Sequence, residues 1–410
     1  RIRVGFSENF EQIGFDSPDF AAELLIDEAL TWTPPSIAAS AKQFLAARRA
    51  DILSMISRPL GATTRLSSVR GLPTTSDATA DLTGTWNITR AVSVSVNGAP
   101  VTLDHATGRW QHSVSGLHPG INRLVIEEWD AQQRMTAQFH LDIYRDSGAG
   151  SAVSGDLAVD TTLAAADGPW HVPAPLNILP GVTLTIEPGA SLFFAPDGGI
   201  TVQPEGTLRC EGSRYQRIRL GREPGSGDNW QGIRIAAPSG QDSDTGNQIS
   251  FTDFDAGDAQ GECIALRRSR LLLDQVTWAN SNDTVLELYR PKLEVRDCSF
   301  PSVPTSKAIQ GNTLRDDDFL LIRRNSFEAS SAYNDIIIFS GASRPGPILA
   351  AYDNVFNGAT DECFDLRDCD AHLEGNVFMR VHLFQPRNTI SNAIAIDDES
   401  NQTGQMLAAL

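Results

Sequence analysis

Several things this chain of 410 residues lacks narrow its function before any motif is read. No run of eighteen apolar residues occurs, so no helical membrane span is expected. Basic residues are scarce, 33 Lys and Arg against 51 Asp and Glu, for a net charge of −18. A nucleic-acid partner is therefore not expected, because no cationic surplus is available to displace counterions from phosphates. The five cysteines (Cys210, Cys263, Cys298, Cys363 and Cys369) form no CxxC pair and no zinc spacing. The sequence has no HExxH, no Gly-x-Ser-x-Gly and no Gly-rich phosphate loop followed by Lys. The acidic balance suits solubility or binding of a cation such as Ca²⁺, and a solvated acidic surface is the plainer reading.

Three regions differ in pattern. Residues 1–60 read as a helical segment: Pro34, Pro35 and Ser36 start a helix, and Ile37, Ala41, Phe44, Leu45, Ile52, Met55 and Ile56 follow at helical spacing. Arg48 and Arg49 read as its solvated or salt-bridged side, with a phosphate contact as the alternative. Residues 66–146 read as short strands in a small immunoglobulin-like β-sandwich. There, "VSVSVNGAPVTL" alternates through Val92, Val94 and Val96 and turns at Asn97-Gly98. Trp86, Trp110 and Trp129 are expected in its core. Residues 147–156, "SGAGSAVSGD", have linker composition.

Residues 157–410 carry a repeat. "LLLDQVTW", "LEVRDCSF", "LLIRRNSF", "LAAYDNVF" and "AHLEGNVF" end on Trp278, Phe300, Phe327, Phe356 and Phe378, at intervals of 22, 27, 29 and 22 residues. A period in the twenties with strand-type apolar spacing indicates a parallel β-helix, each coil burying its apolar face only against its neighbours. Three columns should line the interior. The first is Leu271, Leu293, Leu320, Leu349 and Ala371, and the second is Leu273, Val295, Ile322, Ala351 and Leu373. The third is Val276 and Cys298 followed by Asn325, Asn354 and Asn376, the last three forming an amide ladder at a bend whose left-handed backbone Asn tolerates. A second strand follows each aromatic, with Leu286 and Leu288, Ile309, Ile336 and Ile338, then Phe364 and Leu366 inward. Its outward column is expected to be Ala265, Glu287, Gln310, Ile337, Asp365 and Ala395.

"DECFDLRDCD" concentrates chemistry-bearing residues. Asp361, Glu362, Asp365 and Asp368 are the candidate ligands for a Ca²⁺ ion, and Asp365 and Arg367 the candidate catalytic pair. Arg267, Arg268 and Arg290 stand in nearby columns as alternative bases. Glu287 and Asp365 lie three coils apart, roughly 14 Å, too far for either class of glycosidase carboxylate pair. The solvated-face reading stands beside these. Cys363 and Cys369 are the one pair near enough in sequence for a disulfide, and buried free thiols are the default.

Longer phrases carry a resemblance. "GVTLTIEPGASLFF", "GGITVQPEGTLRCEG" and "NWQGIRI" resemble the opening of right-handed parallel β-helices of the pectin-lyase-like class found in secreted bacterial proteins. "LTGTWNITRAVSVSVNGAPVTL" is similar to the β-sandwich that accompanies CotH-type, spore-coat kinase-like domains. "WTPPSIAASAKQFLAARRADILSMI" is similar to the closing helix of such a kinase-like domain. The resemblance implies a trimmed piece of a longer extracellular or cell-surface bacterial protein, with any kinase activity upstream of Arg1. Its expected work is non-catalytic adhesion or glycan contact, with polysaccharide or other surface proteins as partners. The alternatives are a polysaccharide lyase or hydrolase acting on acidic glycans, and a subunit that self-assembles. No cofactor beyond Ca²⁺ is implied.

Overall fold

The computed structural model describes residues 43–49, 58–330, 334–381 and 393–397. Residues 43–49 are helical, with Arg48 and Arg49 exposed; the rest of the helical segment expected over 1–60 lies mostly outside the described residues. Contacts divide the chain into two compact units. The smaller holds Asp81–Ser113 and Val125–His140 together with the chain up to Thr64. The larger holds Arg65–Ala80, Val114–Leu124 and everything from Leu141 onward.

The smaller unit is antiparallel. Gly61–Thr64 pairs with Thr79–Thr85, and Thr102–Asp104 with Arg109–Ser115. Asn97 and Gly98 both adopt positive φ, 48° and 76°, so the hairpin closes by the tight turn that Asn-Gly favours. Val94, Val96, Trp86 and Trp110 are buried, while Val92 faces out and Trp129 is half-buried. Trp129 sits at the strand end, where its indole N–H reaches Ser95 Oγ at 3.4 Å.

The larger unit is a parallel β-solenoid of about nine turns. Among the described residues its strands stack into three sheets of ten, ten and nine strands, each coil contributing one strand to each sheet in turn. Ser151–Ala152 and Gly155–Leu157 are the first strands of the first and second sheets. Both expected leucine-rich columns of the third sheet are in register, Leu271↔Leu293↔Leu320↔Leu349↔Ala371 and Leu273↔Val295↔Ile322↔Ala351↔Leu373. On the first sheet the aromatics stack face to face. Trp278, Phe300, Phe327 and Phe356 have ring centroids 4.6–4.7 Å apart, close to the spacing of parallel strands. Phe254 and Phe378 continue the stack at either end. Upstream, Trp230 inserts from a loop, 4.0 Å from the ring of Phe194. Gly232 beside it has φ 74°, and a Cβ there would meet the carbonyls of Cys263 and Gly257 at 2.5 Å, so that turn excludes any side chain.

The amide ladder forms, and its backbone differs from expectation. Asn325, Asn354 and Asn376 are not left-handed; the residue before each is. Gln275, Asp297, Arg324, Asp353 and Gly375 all have φ of 53–68°. The division of labour is physical. The left-handed residue turns the chain and lets its side chain project outward, and the next residue turns its side chain inward to bind the neighbouring coil. Each of Gln275, Asp297, Arg324 and Asp353 donates its N–H to a carbonyl of the following coil, so the bend stays hydrogen-bonded.

The parity of the second strand also differs from expectation at residues 336–339. In the second sheet Ile337 and Phe339 point inward, and Ile338 takes the outward place expected of Ile337. Three successive isoleucines offer no alternation, so either register satisfies the pattern until Phe339 decides it.

Candidate functional site

The strand Phe364–Cys369 belongs to the second sheet, with Phe364 and Leu366 inside. Asp365 and Arg367 share the outer side, two residues apart, and bind each other. Arg367 donates from Nη2 to Asp365 Oδ2 at 2.6 Å and from Nε at 3.0 Å. Asp365 is 6% exposed. The candidate acid and base are therefore held as an ion pair. Asp368 is the left-handed residue of the next bend, φ 45°, and is exposed.

Asp361 and Glu362 precede this strand. One coil back, Asp335 occupies the corresponding place, and its Oδ1 accepts the Glu362 N–H at 3.3 Å. Oxygens of Asp335, Asp361 and Glu362 lie within 4.8 Å of one another, and neither Asp365 nor Asp368 belongs to that group. Asp335 and Glu362 are each 8% exposed. Burial, then hydrogen bonds with Asp361 and Asp335, push the Glu362 carboxyl up to about 9. Burial raises Asp335 as well. The trio thus holds at least one proton at neutral pH. Like-charged carboxylates this close cannot all ionise in a buried place without a cation. A divalent ion competing for the site would have to displace that proton.

The alternative bases are also engaged. Arg267 pairs with Glu287 at 3.2 Å, and the Arg268 guanidinium lies 4.9 Å from the centre of the Tyr289 ring. Arg290 is bound by Asp318 at 3.0 Å. All five cysteines are free and buried. Burial raises the Cys363 and Cys369 thiols to about 12, which leaves them unreactive. Cys298 extends the ladder instead: its backbone N–H donates to Asn325 Oδ1 at 2.9 Å, and its sulfur accepts the Val276 N–H at 3.5 Å.

The outward column of the second sheet extends upstream of Ala265 through Arg234, Thr201, Asn177 and Asp156. Beside it lies an open cleft of about 550 Å³ lined by Asp197, Thr201, Gln231, Arg234 and Gln260. Arg234 binds Glu262 at 2.7 Å. Burial leads the raising of the Glu262 carboxyl despite that partner. The signal was available, since "GGITV" and "QGIRI" alternate as the later second strands do.

Comparison with protein-family models, with curated proteins and with solved structures finds no match to this chain.

Proposed function

We propose that the chain is a non-catalytic contact segment of a larger extracellular bacterial protein. In this reading the solenoid is a right-handed β-helix of the pectin-lyase-like class that presents its second sheet to glycan or to another surface protein. The phrases quoted above support placing it after a CotH-like domain and an immunoglobulin-like sandwich. The observation that carries the reading is the commitment of each candidate catalytic group to a neighbour. Asp365 is tied to Arg367, Glu287 to Arg267 and Arg290 to Asp318. A lyase base must be free to reach and take a substrate proton, and these arginine side chains are turned onto neighbouring carboxylates. The cleft at Arg234 offers amides, the Thr201 hydroxyl and the Asp197 carboxylate beside an Arg234 guanidinium that Glu262 already holds, a polar lining that suits binding without bond cleavage.

The test is to incubate the purified chain with a panel of acidic polysaccharides in Ca²⁺. Affinity and unsaturated or reducing-end products are measured together. Saturable binding without product, weakened in Arg234→Ala, supports the reading. Product formation that disappears in Asp365→Ala would replace it with a lyase or hydrolase. Concentration-dependent polymers by sedimentation, with no glycan affinity, would favour an assembly subunit.

A further inference from the structure

A second acidic group lies away from both the cleft and the Glu362 trio. Carboxylate oxygens of Asp242, Asp317 and Asp318 come within 4.8 Å of one another. Two loop ends supply them, Asp242 immediately before the third-sheet strand Ser243–Ser250, and Asp317 and Asp318 immediately before the strand Phe319–Arg323 three coils later. Asp318 is the buried member, its side chain wholly inaccessible. Its Oδ2 accepts Arg290 Nε at 3.0 Å and the Arg315 N–H at 2.9 Å. Its Oδ1 is buried with no hydrogen-bond partner. A buried carboxylate oxygen left unpaired is costly, and native proteins satisfy such atoms with a donor, water or a cation.

Charge points the same way. Arg290 and Lys292 also reach Asp244 and Asp316, so five carboxylates face two cations. The surplus is three negative charges. Arg290 meets Asp242 only at 3.3–3.4 Å, longer than a strong charge-assisted contact.

We propose that Asp242, Asp317 and the free Oδ1 of Asp318 bind a Ca²⁺ ion that pins the two loops together across the stack. Arg290 keeps Oδ2 of Asp318, so one buried carboxylate serves both cations. An all-oxygen donor set on loops, with exposed aspartates able to adjust, fits the larger and more tolerant Ca²⁺ better than Mg²⁺, which demands a tight octahedron.

The test uses the full chain, titrated calorimetrically with CaCl₂ and separately with MgCl₂, with melting temperature followed in parallel. Ca²⁺ should bind and raise the melting temperature, and Mg²⁺ should do neither at equal ionic strength. Asp242→Asn combined with Asp317→Asn should weaken Ca²⁺ binding by roughly tenfold or more. Both side chains are exposed, so this variant should fold as judged by circular dichroism. Failure of Ca²⁺ to bind, equal effects of the two ions, or Ca²⁺ binding that survives the double substitution would each overturn the assignment. None of these outcomes depends on whether the chain contacts glycan.

Discussion

The side-chain amide of Asn354 donates to Asn376 Oδ1 at 2.8 Å, one coil ahead, and to the Ile322 carbonyl at 3.0 Å, one coil behind. Its own Oδ1 accepts the backbone N–H and the side-chain N–H of Asn325. One fully buried residue therefore closes bonds in both directions. Asn354→Leu removes all of them and leaves buried groups on both neighbouring coils unpaired, at about 1–3 kcal/mol for each. A drop of that order in urea-unfolding free energy is expected. A loss below about 0.5 kcal/mol, the range of an ordinary surface change, would show that the ladder is ornamental.

Phe327 lies between Phe300 and Phe356 at 4.6 and 4.7 Å and is fully buried. Truncating it leaves a gap that rigid strands on either side cannot close. Phe327→Ala should cost about 3–5 kcal/mol. The same change at Phe44, an exposed aromatic on the helix, should be close to silent in a thermal melt.

The Glu362 trio gives stability a pH dependence. Its carboxyl rises from the ordinary 4.5 to about 9 on folding, so the folded chain holds a proton that the unfolded chain releases. The stabilisation associated with that proton is fully present below pH 4.5 and is lost as pH climbs towards about 9. Glu362→Gln keeps the shape and needs no proton. Between these limits its stability should fall less steeply with pH than that of the parent chain, measured by denaturant midpoints across the range. Parallel slopes for the two proteins would remove the shared-proton description.

The parity of "DIIIFSG" can be tested by charge. Ile337 is fully buried, whereas Ile338 occupies the half-exposed outward column. Ile337→Asp should abolish cooperative folding, and Ile338→Asp should be tolerated with a small loss. The opposite ranking would restore the register in which Ile336 and Ile338 face inward.

These residues also mark where the sequence was legible. The third-sheet columns and the aromatic stack repeat one residue type at one spacing, so period alone placed Leu273 over Val295 and Phe300 over Phe327. Three adjacent isoleucines carry no such phase. At the bend, the inward ladder was readable because Asn recurs there. The left-handed position before it holds Gln, Asp, Arg, Asp and Gly, whose common property is backbone geometry and not side chain. Asp335 joined Asp361 and Glu362 because neighbouring coils superpose residues 26 and 27 positions apart, a distance that the cluster within "DECFDLRDCD" concealed.

The in-register stack is tested most directly by a distance between coils far apart in sequence. Thr201 and Gln310 lie four coils apart in one outward column, through Arg234, Ala265 and Glu287. Spin labels on Thr201→Cys and Gln310→Cys, with the buried native thiols unlabelled, should give a narrow electron-electron distance distribution near 19 Å plus the reach of the labels. A broad distribution, or a mean beyond about 35 Å, would contradict parallel coils stacked at strand spacing.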